Sequence, residues 1–215
     1  MGKLIFEIST SVDGYVAGPD ASIEHPLGIG GEELHEWVFK LKPWLESHGR
    51  EGGEEGPAAD LTQEWIDRAG ATIMGRRMFS GGQGPWEEDS NRDGWWGDEP
   101  PFHHPVFVLT HHERESQEMH GGTTFNFVTD GVESALEQAR EAAGDKDVKV
   151  AGGAKAAQQY LDGGLVDEML IHVAPVVLGG GERLFADAAV DGLKVEIERV
   201  VESPDATHTA YRVLR

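Results

Sequence analysis

Two stretches of the chain set glycines beside cations where a strand gives way to a helix. In Val148-Lys149-Val150-Ala151-Gly152-Gly153-Ala154-Lys155 a β-branched run stops at a glycine pair and passes directly into the helix-forming Ala154 to Leu161. Such a junction gathers free backbone N–H groups and the positive end of a helix dipole at one point, where an anion is favoured. Without Cβ atoms a phosphate oxygen can reach the main chain, and Lys155 adds a cation. In Ala71-Thr72-Ile73-Met74-Gly75-Arg76-Arg77 a short apolar run ends on a glycine followed by two arginines, which can bring an N–H and a guanidinium fork to the same phosphate. A further cluster, Gly179-Gly180-Gly181 after Val176-Val177-Leu178, reads as another glycine turn at a strand end, and two such turns on one sheet edge would make a nucleotide cradle. Ordinary turns of an α/β domain and a surface arginine pair are the competing readings.

Other polar groups leave strand ends. Ser9, Ser11 and Asp13 follow the first strand and could floor a pocket, although Asp13-Gly14 is also a plain turn signal. Thr110-His111-His112 closes another strand and could sit beside a ligand. A metal site built from His103, His104, His111 and His112 is disfavoured, because adjacent histidines on an extended chain point to opposite sides.

The elements that must hold these groups follow from hydrophobic period. Strands are expected over 3–10, 71–74, 106–110, 125–128, 148–150, 168–173, 195–201 and 207–214, the last two antiparallel because their link is short. Helices are expected over 32–45, from Asp60 with Gln63 as its reciprocal cap, over 132–143 and over 154–161. Two surface loops, 46–59 and 81–104, interrupt them. The second carries Trp86, Trp95 and Trp96, which could cover a flat ring or pack on a second subunit.

Composition narrows the partners. A chain of 215 residues with 39% hydrophobic content suits one α/β domain over 1–215. The N-terminal apolar run is too short for a signal peptide and nothing approaches a membrane span, so a soluble, cytoplasmic protein is expected. Having no cysteine removes disulfides, thiolate metal sites and cysteine nucleophiles. A net charge of -21, from 39 acidic against 18 basic side chains, opposes nucleic acid and anionic membranes. An anionic ligand must be caught locally.

The order of pieces resembles the dihydrofolate reductase-like superfamily, in particular the group containing the reductase domain of bacterial riboflavin biosynthesis. The matching residues are Ser11 to Ala17, Met74 to Phe79, Val106 to Thr110, Val150 to Ala154, and Asp167-Glu168 leading to Pro175 through Gly181. The resemblance implies a three-layer α/β fold whose central mixed, mostly parallel sheet of about eight strands is flanked by helices, with NADPH across the strand ends. It implies that Gly75, Arg76 and Arg77 grip the 2′-phosphate and pyrophosphate side, that Thr110 and His111 flank the adenosine, and that Gly152, Gly153, Ala154 and Lys155 hold the pyrophosphate. Ser9 and Asp13 would lie near the nicotinamide and the substrate ring, with Asp13 or a water delivering the proton. A homodimer and a small pterin- or pyrimidine-like substrate are also implied. Riboflavin-pathway reduction of a ribosylamino-pyrimidine, and a non-catalytic nucleotide-binding protein, are the alternatives. Where riboflavin reductases carry a glutamate before the Gly-Gly turn this chain has Ala151, and the acid that folate reductases place on the first helix could be supplied by Glu33 or Glu36.

Overall fold

The computed structural model describes residues 2–185 and 192–214. In chain order the elements are β1 (Leu4–Thr10), β2 (Tyr15–Ala17), α1 (Glu36–Phe39), α2 (Lys42–Ser47), α3 (Pro57–Arg68), β3 (Ala69–Gly75), α4 (Arg76–Ser80), β4 (Pro105–Leu109), β5 (Gln117–Glu118) and β6 (Thr124–Val128). They continue with α5 (Val132–Ala143), β7 (Asp147–Gly152), α6 (Ala154–Asp162), β8 (Glu168–Val173), β9 (Glu182–Arg183), β10 (Lys194–Ser203) and β11 (Ala206–Leu214). Nine strands form one sheet in the order β10-β11-β8-β1-β7-β3-β4-β6-β5, and β2 pairs with β9 apart from it. The large sheet has one strand more than the expected eight, since the short edge strand β5 carries too little apolar pattern to announce itself.

The run from β8 through β6 is parallel, and β10, β11 and β5 add antiparallel edges. Strand period explains the layering. Leu4, Phe6, Ile73, Val148 and Val150 face α5 and α6, where Ala135, Leu136, Ala157 and Tyr160 meet them. Ile5 turns the other way, onto Leu61 and Trp65 of α3. Met74, Val106 and Val108 share that second face with Phe79 of α4. The parallel strands therefore all end at one sheet edge, where open α/β folds bind ligands.

The region expected to be one helix over 32–45 is a 3₁₀ turn, Gly31–His35, followed by α1 and α2. Pro43 lies in the first turn of α2 and cannot continue a preceding helix, so the amphipathic stripe is spread over three short pieces. The loop after them is shorter than 46–59, because α3 begins at Pro57 and buries Ala58 and Ala59. Gln63 accordingly sits mid-helix and donates to Asp67 at 2.9 Å instead of capping Asp60. No helix among the described residues is long and apolar enough to cross a membrane.

A row of polar groups lies beneath the second face. Glu7 of β1 receives Lys149 Nζ at 2.8 Å and faces His172 Nε2 at 3.1 Å. The Nδ1 atoms of His172 and His208 meet at 2.7 Å, so one ring donates and the other accepts. His208 Nε2 reaches Ser203 Oγ at 3.1 Å, and the Trp37 ring packs on both imidazoles. Burial works against the Glu7 carboxylate, but Lys149 and His172 outweigh it and hold the group well below the usual range. Burial and the neighbouring His172 push the His208 imidazole down to about 4. Burial, with Lys149 nearby, takes His104 down to about 4 as well.

These depressed histidines set a pH window. An unfolded histidine titrates near 6.5, so between about 6.5 and 4 the unfolded chain binds more protons than the folded one. Their contribution is complete above about pH 6.5 and is lost as pH falls toward about 4. Thermal melts between pH 7 and 4.5 should show Tm declining before most carboxylates titrate, and His208→Gln should flatten that decline. An unchanged slope would remove His208 from the account.

Candidate active site

The glycine turns of β3 and β7 stand side by side. Met74 pairs with Gly152 in the parallel ladder, and a Cβ placed on Gly75 would lie 3.8 Å from Gly153 N and 3.9 Å from Gly152 O. Between these strand ends, the start of α6 and the loops above them lies a cleft of about 610 Å³. Gly75, Arg76, Arg77, Thr110, His111, Gly152, Gly153, Ala154 and Lys155 all line it. A Cβ on Gly153 would meet nothing within 4 Å, so the missing side chain is open space beside the main chain. Gly152 has φ +130, which non-glycine residues resist. Helix α6 leaves its first N–H groups without helical acceptors at this point. The Lys155 ammonium has no ion-pair partner among the described residues. The turn thus fits a pyrophosphate.

The two arginines divide. Arg76 Nη2 pairs with Asp89, and the guanidinium lies 3.5 Å above the Trp86 ring, with both side chains of the pair buried. Asp89 also accepts from Ser80 Oγ at 2.7 Å and from the Asn91 N–H at 2.9 Å. Burial opposes the Asp89 carboxylate, yet these donors keep it below its ordinary range and ionised. The guanidinium expected to grip a phosphate is therefore paired inside the fold through Nη2, while its Nε and Nη1 are buried without a hydrogen-bond partner. Arg77 stays half exposed, with Nη1 3.1 Å from Glu182 Oε1. With its amide oxygen turned toward Arg77, Gln83 accepts from Nε at 2.7 Å and Nη2 at 2.6 Å.

Asp13 and Ser9 depart further from expectation, as neither lines the cleft. Asp13 accepts from the N–H groups of Leu178 and Gly179 at 3.1 and 2.8 Å, tying the turn after β1 to the glycine run before β9. The Ser11 hydroxyl and these two N–H groups hold its carboxyl down to about 2. A group ionised at that level is a loop clamp and a poor proton donor. The glycine run itself does not form a second cradle at the cleft, since none of its three glycines lines it, the Gly179 N–H goes to Asp13, and a Cβ on Gly181 would strike Ala17 O. Ser9 faces the side of β1 away from the cleft, where its oxygen accepts from Trp37 Nε1 at 3.1 Å, while Ile8 looks into the cleft. Glu33 and Glu36 are exposed and outside the lining too. Had Asp13 delivered the proton, Asp13→Asn would cost about 10²–10⁴-fold in kcat. The geometry instead predicts a loss below about tenfold with a lowered Tm, measured by turnover and thermal melts side by side.

The four histidines separate. His103 Nδ1 contacts Gly121 O, His104 Nε2 meets Thr72 Oγ1 at 2.7 Å, and His111 lines the cleft. Sequence reasoning missed Asp89, whose position in a loop gives no spacing signal toward Arg76, and it left the tryptophans unassigned. Trp95 and Trp96 line the cleft, and their indole N–H groups donate to Met78 O and Phe79 O at 3.0 and 3.1 Å, capping the end of α4.

A mostly parallel sheet whose strand ends close on one glycine-edged cleft is the dihydrofolate reductase-like fold. Within that class the chain belongs to the RibD C-terminal domain family, whose pattern matches residues 2–209. A search of curated proteins returned no match. Among solved structures, a protein from Shewanella sp. PV-4 designated for riboflavin biosynthesis is 22% identical with a TM-score of 0.63, each chain covering 99% of the other. RibD of Acinetobacter baumannii is 16% identical with a TM-score of 0.59, all of this chain spanning 59% of that one. Dihydrofolate reductase from Enterococcus faecalis, solved with NADP(H) and RAB-propyl, is 12% identical with a TM-score of 0.52, covering 100% of this chain and 98% of its own.

Proposed function

We propose that the protein is an NADPH-dependent reductase acting on an unsaturated carbon or imine of a small heterocycle. One observation carries this reading: the Gly75 and Gly152-Gly153 turns, Arg77 and Lys155 converge on one cleft in a chain whose net charge of -21 repels anions elsewhere. When bound, the dinucleotide supplies hydride, with its phosphates held by backbone N–H groups, Arg77 and Lys155. Thr110 and His111 flank the adenosine end. Ile8 and Ala151 border the other end, where the chain's task is to orient a ring and exclude water. Among the described residues the lining carboxylate is Glu182, and Arg77 holds it. The proton therefore comes from water.

The test pairs binding with turnover. NADPH should raise Tm more than NADH does, and absorbance at the NADPH band should fall in a screen that includes dihydrofolate and flavin precursors. Equal shifts with both cofactors would count against the phosphate assignment, and binding without turnover on any heterocycle would count against catalysis.

A further inference from the structure

The cleft is not uniformly polar. Its charged side chains, Arg76, Arg77, Lys155 and Glu182, belong to the starts of α4 and α6 and to β9. The rest of the wall is largely apolar, with Ile8 of β1, Val16 of β2, Leu27, Met78 of α4, Trp95 and Trp96 among its members. Among the described residues the cations lining the cleft are Arg76, which is paired with Asp89, and Arg77 and Lys155, which the dinucleotide reading assigns to its phosphates, so an anionic group on a substrate would find no further cation. A cationic group would find Glu182 already paired.

Both tryptophans are anchored. Trp95 and Trp96 each spend the indole N–H on a carbonyl at the end of α4, so they offer the cleft hydrocarbon and not a donor. Trp95 stands beside the loop after β2, since a Cβ on Gly81, which has φ +82, would meet its indole at 3.0 Å and Ile23 Cγ1 at 3.5 Å. Trp96 is braced by Phe102 with ring centroids 4.9 Å apart. Both indoles are half-buried. Fixed indoles beside uncharged walls recognise flat π-systems through stacking and apolar contact.

We infer that the substrate is an uncharged, planar conjugated ring without a phosphate or carboxylate, and that Trp95 and Trp96 determine this specificity. The inference rests on the dinucleotide reading above, since it takes Arg77 and Lys155 to be occupied by that ligand's phosphates. Isothermal titration separates the two. NADP⁺ is titrated first; then, at saturating NADP⁺, the protein is titrated with riboflavin against FMN and with 1,2-naphthoquinone against its 4-sulfonate. Each pair shares a ring and differs by an anionic substituent. The neutral member of each pair should bind more tightly by about tenfold or more. Trp95→Ala should weaken it by about ten- to hundredfold while NADP⁺ affinity is retained, and Trp95→Phe should recover most of the loss. Retained NADP⁺ binding also shows that each variant is folded. Preference for the anionic members, or no loss in Trp95→Ala and Trp96→Ala, overturns the inference and leaves the reductase reading standing. Failure of NADP⁺ itself to bind overturns both.

Discussion

Replacing Arg76 with alanine is expected to cost about 3–5 kcal/mol of stability, a fall in Tm of roughly 6–20 °C, while leaving the preference for NADPH over NADH intact in the protein that folds. The magnitude follows from what is left behind. Asp89 has 2% of its side chain exposed and would lose its cation. Ser80 and the Asn91 N–H would still donate to it, but two neutral donors do not replace a guanidinium. The Trp86 ring, which is also buried against Phe79 and Phe127, would lose the nearer of its two cations and keep Arg114 at 4.8 Å. Because breaking a buried pair is worse than removing it, Arg76→Met combined with Asp89→Leu should be more stable than Arg76→Ala. A coupling energy near zero in the cycle of Arg76→Met, Asp89→Leu and their combination, with a lost cofactor preference in Arg76→Ala, would restore Arg76 to the phosphate.

Arg76 also shows where sequence stops being legible. Gly75-Arg76-Arg77 announces a strand end with cations, and the fold puts it beside Gly152 as the pattern implied. Which of two adjacent guanidiniums faces the ligand depends on a helix that starts at Arg76 and turns its side chain onto the second face of the sheet, toward Phe79 and Trp86. No local pattern encodes that, because Asp89 and Trp86 come from an irregular loop whose path is set by its own tertiary bonds. Asp13 fails for the opposite reason. Its turn chemistry was visible, but the two N–H groups that occupy its carboxylate come from Leu178 and Gly179, far along the chain. The parallel core strands were legible because their apolar runs are continuous and buried on both faces. The first helix was less so, since an amphipathic stripe survives division into a 3₁₀ turn and two short helices.

With Arg76 withdrawn, the proposed reading assigns the discrimination between NADPH and NADH to Arg77, and Arg77→Ala is expected to weaken NADPH binding by about ten- to hundredfold while changing NADH little. Lys155→Ala should instead weaken both by a similar factor, because an ammonium on the first turn of α6 acts on the pyrophosphate that both dinucleotides share. Glu182 supplies the sign test. Its carboxylate sits 3.1 Å from Arg77 Nη1 and competes with any phosphate for that cation. Glu182→Gln should therefore tighten NADPH, and the gain should shrink as salt is raised, since Arg77 is half exposed and screened. Titrations of both cofactors against the three variants at two ionic strengths decide the matter. If Arg77→Ala and Lys155→Ala lower the two affinities in equal proportion, the 2′-phosphate is bound elsewhere, and His111 at the neighbouring strand end is the next group to replace.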